Sequence, residues 1–400
     1  MKQIIPAERV SEIKEYYFSR KLREVAQLNA DGRDIISLGI GGPDLPPAPE
    51  VIETLIETAE RADAHSYQSF KGIPELRHAF ADWYRRFYGV KLDADTEIQP
   101  LIGSKEGVLY ISLAFLNPGD GVLVPNPGYP TYTSASRIVG AEIYNYNLTP
   151  ENDWWPDFEE LERLPLEKIK LMWVNYPHMP TGTPASEELY RQLVHFARKH
   201  NIVLAHDNPY SFILSERPVS ILSIPGASDI AIELNSLSKS HNMAGWRVAM
   251  LASNAEFVEW IVKVKSNVDS GQFLPVMRAA AKALSLPDEW YARVNRTYSG
   301  RREIAEEIMK VLDCSFDPRQ QGLFLWGKVP SDAGCGEKLA DRLLYEARVF
   351  VTPGFIFGSN GDQYIRISLC AKESALHEAL TRIKVWKERQ GMSNPGQSDS

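Results

Sequence analysis

The sequence predicts an α/β fold, a mostly parallel sheet flanked by helices with a smaller α+β lobe attached, and two observations carry that prediction. First, from about residue 100 short uninterrupted apolar runs alternate with amphipathic stretches, the pattern of strands buried on both faces and separated by helices. Second, beyond about residue 280 the pattern changes to long helical stretches followed by short strands.

The runs "GVLVPNP" (121–127), "KIKLMWVNYP" (168–177), "NIVLAHDNPY" (201–210), "DIAIELNSLSK" (229–239) and "WRVAMLAS" (246–253) read as core strands. Between two of them, "SEELYRQLVHFARKHN" puts Leu189, Leu193, Val194 and Ala197 on one helical face behind a Ser/Glu start signal. In the second part, "DEWYARVNRTYSGRREIAEEIMKVL" predicts a long helix. "GLFLWGKV", "RVFVTPG" and "YIRISLC" predict strands, and a last helix spans about 373–388. These patterns divide the chain into a large α/β domain over 45–280 and a smaller α+β domain built from 1–44 and 281–390. A polar tail, 391–400, is rich in Gly, Pro and Ser and is expected to be disordered.

Composition narrows the function classes. The chain has 400 residues, 44% of them hydrophobic, and a formal net charge of -8. That balance argues against a dedicated nucleic-acid or membrane-surface binder, which needs a basic face. Its three cysteines, Cys314, Cys335 and Cys370, are widely spaced, with no CxxC pair or His cluster to suggest a metal. No apolar run reaches about 18 residues, and the N-terminus lacks the apolar core of a secretory signal. A cytoplasmic protein working on small molecules is the expectation.

Three polar residues end three successive apolar runs: Asn175, Asp207 and Lys239. Each alone is a polar residue opening a loop. Together, at equal spacings of about one strand-helix-strand unit, they are expected to meet in the crevice at the carboxyl edge of the sheet, where open α/β sheets bind ligands. Lys239 sits among small hydroxyl residues in "NSLSKSHNMAGWR". It is either a solvated charge or a buried amine kept for chemistry.

That segment resembles the Schiff-base motif of the pyridoxal-phosphate-dependent aminotransferase class I/II family, fold type I. The resemblance continues in order through "GIGGPD", "YQSFKGIPELR", "GSKEG", "PGYPTY", "NYPHMPTG", "DNPY" and "YIRIS", and so covers nearly the whole chain. It implies that Lys239 carries pyridoxal 5'-phosphate and later moves a proton. It also implies that Asp207 pairs with the pyridine nitrogen, that Tyr210 bonds the ring phenolate, and that Tyr129 stacks on the ring. Ser236, Ser238 and Arg247, with the backbone of Ser104 and Lys105 at a helix start, are the implied phosphate cup. Tyr67 is the implied contact to the phosphate of the neighbouring subunit, hence a homodimer with shared sites. Arg366, an arginine inside an apolar strand, is the implied partner of the substrate α-carboxylate, with Gly41 as a nearby backbone donor.

One position departs from the family pattern: Met179 stands where an Asn before "PTG" donates to the ring phenolate, so that Asn175 or His178 is left to take over. The implied activity is transfer of an amino group from an L-amino acid to a 2-oxo acid, with 2-oxoglutarate as a plausible acceptor, in a ping-pong cycle. Lyases and decarboxylases on the same fold share this residue set. A ligand-sensing regulator is the remaining alternative, and it would need a fused DNA-binding region.

Overall fold

The structure is a computed structural model that describes residues 4–12 and 17–392. After a two-residue strand β1 (Ile36–Ser37), the chain builds a seven-stranded sheet from β2 (Ile98–Leu101), β3 (Gly121–Asn126), β4 (Glu142–Asn147), β5 (Ile169–Val174), β6 (Val203–Asp207), β7 (Ala231–Ser236) and β8 (Ala249–Ala252). Their spatial order is β2-β8-β7-β6-β5-β3-β4. β8 alone runs opposite to the other six strands, antiparallel to both β2 and β7.

Alternation explains the uninterrupted apolar runs. Leu123, Met172, Val174 and Leu204 pack on one face, against the helix Glu187–His200. Val122, Val124, Leu171 and Trp173 pack on the other, against Val108 and Ile111 of the helix Ser104–Phe115. Both faces are dry, so a strand is apolar on both sides except where polar side chains pair with each other, as His206 and Glu233 do. The helix Glu187–His200 starts where the Ser/Glu signal places it, with Ser186 capping Leu189 N–H, and Leu189, Leu193, Val194 and Ala197 are all buried.

Two strands were not legible as apolar runs. β4, "EIYNYN", is the edge strand with mixed exposure, and β2 is four residues long and contains Pro100. The segment "RVFVTPG" does not form one strand. It divides at Val351 into β10 (Val349–Phe350), parallel to β1, and β11 (Thr352–Pro353), which pairs with β12 (Tyr364–Ser368); β12 in turn pairs with β9 (Phe324–Lys328). This division lets 36–41 run beside both pieces. Leu38 N–H donates to Phe350 O, Ser368 N–H to Leu38 O, and Ser368 Oγ to Ile40 O. The last helix runs from Glu373 to Met392, beyond the expected end at 388, and 393–400 of the expected tail lies outside the described residues. Among the described residues no helix is long and apolar enough to cross a membrane.

Behind the sheet's carboxyl edge, Glu233 of β7 has no exposed surface. Its carboxylate accepts hydrogen bonds from Tyr84 Oη (2.8 Å), Ser220 Oγ (2.8 Å), Ile221 N–H (3.0 Å) and His206 Nδ1 (2.8 Å). A carboxylate can only accept, so the His206 proton is on Nδ1. Four donors from three segments compensate for the loss of hydration, and truncation would strand them all. Glu233→Ala is expected to cost about 3–5 kcal/mol, with Glu233→Gln losing less. Urea unfolding of the two variants, compared at equal m-values, checks this ordering.

Candidate active site

Adjacent strands β5, β6 and β7 end side by side and deliver Asn175, Asp207 and Lys239 to one cavity of about 390 Å3. Lys239 lies just past its strand, in the single helical turn Leu237–Ser240 capped by Ser236 Oγ, which accepts from Ser238 N–H. Of the sequence-predicted residues, Gly41, Ser104, Lys105, Tyr129, Tyr210, Ser236, Ser238, Arg247 and Arg366 line the same cavity. Tyr67 does not; it is 94% exposed on the outer surface.

At one end, the helix Ser104–Phe115 points its N-terminus into the cavity, with Ser104 and Lys105 in its first turn. Gly103 precedes it at φ +84°, and a β-carbon there would lie 1.9 Å from Arg247 Nη2. Only glycine tolerates both the left-handed backbone and the guanidinium. Arg247 itself has φ 58°, donates from Nη1 to Ala244 O at 2.9 Å, and lies 3.5 Å from Ser238 Oγ. Ser104 Oγ is buried with no hydrogen-bond partner. A helix N-terminus, an unspent hydroxyl and an arginine fork make a cradle suited to a phosphate.

In the middle, Lys239 Nζ donates to Gly41 O at 2.6 Å. Burial above all holds its pKa below the ordinary lysine value; Cys370 opposes it, and the smaller effects of the Arg366 and Arg247 charges add to the lowering. The backbone atom of Gly41 that meets the site in this structure is therefore its carbonyl, where an N–H donor was expected. A β-carbon on Gly41 would come within 2.4 Å of the Phe324 ring.

Asp207 Oδ2 accepts from Tyr132 Oη at 2.9 Å, whereas Oδ1 is buried without a partner. Tyr132 stacks on Trp173 with the rings 3° from parallel and 5.0 Å apart, which fixes the phenol that steadies the carboxylate. Sequence reasoning missed Tyr132. Its signal was present, one helical turn after Tyr129 in "PGYPTY". An unpartnered buried carboxylate oxygen suits a cationic ring N–H.

At the other end, Arg366 donates from Nη2 to Gly39 O (3.0 Å) and from Nη1 toward Met179 Sδ (3.3 Å). Its guanidinium lies over the rings of Phe324 at 3.8 Å and Phe357 at 4.7 Å. Neither candidate substitute for the missing Asn is simply available. The Asn175 amide braces the backbone, donating to Asp207 O (2.6 Å) and accepting from Met179 N–H (2.8 Å). His178 is buried off the cavity, bonded through Nδ1 to Thr181 Oγ1, and burial pushes its pKa down to about 3. Among the described residues no group of His, Cys, Asp and Glu could hold a metal ion.

Burial lifts the Asp207 carboxyl to about 6 from an ordinary 3.8, the Tyr132 hydrogen bond opposing it. A carboxyl with a higher pKa folded than unfolded binds its proton more tightly in the folded chain. Stability therefore falls as pH rises from about 4 to about 6 and stays lower above that. The difference amounts to about 3 kcal/mol at about 1.36 kcal/mol per pH unit. Asp207→Asn in the unliganded protein should accordingly raise the thermal midpoint at pH 8, with the gain shrinking toward zero at pH 4. Melting curves at both pH values test it, and an equal gap at both would exclude the buried charge as its source.

Comparison with known proteins gives this arrangement its family. The family model described as aminotransferase class I and II matches residues 33–383. The LL-diaminopimelate aminotransferase of Aquifex aeolicus is 40% identical over 380 residues, which cover 94% of this chain and 98% of that protein. That of Oleidesulfovibrio alaskensis is 41% identical over 386 residues, covering 96% and 99%. Among solved structures, substrate-bound BacF from Bacillus subtilis superposes with a TM-score of 0.91 at 36% identity, over 96% of this chain and 98% of that one. The match spans the cavity's contributing strands and the N-terminal "GIGGPD" segment alike, and the chain belongs to the aminotransferase class I and II family, enzymes that move an amino group from an amino acid to a 2-oxo acid.

Proposed function

We propose that the chain binds pyridoxal 5'-phosphate and transfers the amino group of an amino diacid of the LL-diaminopimelate type to 2-oxoglutarate. The observation that supports it most is the buried pair at the cavity centre: an amine with a depressed pKa, Lys239, and a carboxylate with an unspent oxygen, Asp207. In this reading Ser104, Lys105, Ser236, Ser238 and Arg247 hold the phosphate, Tyr129 covers the ring, and Tyr210 donates to its phenolate. When bound, the cofactor supplies an electron sink for the pair left behind when the substrate Cα–H bond breaks. Asp207 offers Oδ1 to the ring N–H. Lys239 Nζ, more often neutral than an exposed lysine because of its burial, would accept the Cα proton and hold it on Nζ for return. Arg366 takes the α-carboxylate with its planar fork, Gly41 close by.

Substrate choice rests on charge at the two ends of the cavity. Relatives at 40–41% identity bear the name LL-diaminopimelate aminotransferase, and a diacid needs a cation at each end. Arg366 is one, and Lys105 at the cavity rim is proposed as the other. Tyr67, exposed on the outer surface, reaches the phosphate of a second copy in a homodimer with shared sites. The same reading divides the chain into domains 45–280 and 1–44 with 281–390, and puts the enzyme in the cytoplasm.

Stopped-flow half-reactions of the cofactor-loaded protein test this reading. LL-diaminopimelate, glutamate, aspartate, methionine and phenylalanine would each be mixed with it while the cofactor spectrum is followed. The expected order places LL-diaminopimelate first, and borohydride reduction is expected to leave the pyridoxyl adduct on Lys239. No amino-group transfer from any donor, or an adduct on another lysine, would refute it. Lys105→Ala should cut the preference for diacids over phenylalanine about tenfold, the loss of one charge-assisted contact. An unchanged ratio of catalytic efficiencies would remove Lys105 from the subsite.

A further inference from the structure

The wall beside Arg366 is held by a group of amides that takes no part in the chemistry described above. Phe357, which covers the guanidinium at 4.7 Å, sits in the turn 354–361, far in sequence from the strand ends beneath it. Gly128 N–H donates to Phe357 O at 2.8 Å. The next residue, Gly358, has φ +132°, and a β-carbon there would lie 2.1 Å from Asn126 Oδ1. Asn126, the last residue of β3 and 8% exposed, donates from Nδ2 to Ser359 Oγ (3.0 Å) and Asn147 Oδ1 (3.1 Å), and its Oδ1 accepts from Asn360 N–H (3.2 Å). Asn360 Nδ2 reaches back to Asn126 O, Asn147 Oδ1 and Leu148 O at 3.2–3.3 Å. Three residues after Asn126 comes Tyr129, on the cavity's other wall, and Phe357 and Tyr129 both border a second cleft of about 550 Å3 outside it.

We infer that Asn126, acting with Asn360, is a positioning residue for substrate carboxylate recognition. It sets the Phe357 ring against Arg366 and, through the short link to Tyr129, holds the carboxylate end at a fixed distance from the ring end. The amides touch neither end. Their effect is geometric: a misaimed guanidinium fork loses part of its charge-assisted pair in ground state and transition state alike, which weakens binding and leaves kcat little changed. The inference deepens the aminotransferase reading and rests on it.

Its test uses the pyridoxal-phosphate-loaded enzyme with LL-diaminopimelate as donor and succinate as a non-reacting carboxylate probe. Asn126→Ala and Asn360→Ala should each raise the donor KM and the succinate Kd about tenfold, with kcat changed less than about threefold and cofactor affinity unchanged. Asn126→Asp keeps the acceptor for Asn360 N–H and should recover part of the loss. Because the two amides act as one unit, the double variant should be no worse than the poorer single variant. Unchanged KM and Kd in both alanine variants would overturn the inference, as would a loss confined to kcat or losses that multiply in the double variant. The Asn360 change comes from the outer turn and keeps the test alive if Asn126→Ala fails to fold. A parent enzyme that transfers amino groups while the variants keep their KM refutes the positioning role alone; a parent with no transfer refutes both readings.

Discussion

A carboxylate taken out of water with only one oxygen bonded is the constraint on which the rest of the site depends. Asp207 sits at the end of a central strand, 6% exposed, and its pKa is lifted by that burial. Such a group is costly to fold around, so its surroundings must be rigid. Trp173 fixes Tyr132, Tyr132 holds Oδ2, and Asn175 ties the Asp207 carbonyl to the turn carrying Met179. One residue earlier in the strand, on the opposite face, the buried Glu233 and His206 fasten β6 to β7. The sheet therefore bears, on its two faces at one level, an incompletely satisfied acid toward the cavity and a fully satisfied one behind it. Only the first is left able to take a ligand.

The second anchor comes from outside the sheet. The backbone of 38–41 is stitched to Phe350, Thr352 and Ser368, so that Gly39 O meets Arg366 and Gly41 O meets Lys239. Glycine at 39 and 41 is a packing requirement, since a β-carbon at either would lie 2.4 Å from a phenyl carbon of Phe350 or Phe324. Arginine among aromatic rings is weakly hydrated, and its planar fork has the shape to meet a planar anion. The division of "RVFVTPG" into two strands is what brings these pieces together.

How much of this was legible follows from physical visibility in the chain. The buried parallel strands are visible because dry faces demand unbroken apolar runs, and Asp207 and Lys239 are visible because charges at the ends of such runs are conspicuous. β4 was hidden because an edge strand needs one apolar face at most. Tyr132 was hidden because a tyrosine on the buried face of a helix reads as core, which in part it is; its phenol oxygen alone does the electrostatic work. The Asn126 and Asn360 pair was out of reach, since amides more than two hundred positions apart carry no mark of each other. Met179 was visible as a departure, but its contact with Arg366 was not. The thioether lies beside the guanidinium as a weak acceptor and cannot donate to a phenolate; of the two candidates for that donation, Asn175 lines the cavity while also bracing Asp207 O, and His178 lies off it.

The charge distribution ties these local facts to the molecule as a whole. The chain carries a formal charge of -8, yet among the described residues the cavity is lined by Lys105, Lys239, Arg247 and Arg366 against the single carboxylate of Asp207. A cationic recess in an anionic body focuses field lines, drawing anions in while the outer surface repels them. In the proposed function, a carboxylate finding Arg366 and a phosphate finding the Gly103–Arg247 cradle would be drawn by the same field to opposite ends of one cavity. The neutral Met179 preserves that field where an acidic residue would have quenched it. Within the recess, mutual repulsion among the cations also helps keep the Lys239 amine below its ordinary pKa. The charges that would attract anions thus also favour the neutral amine, the form the proposed base needs.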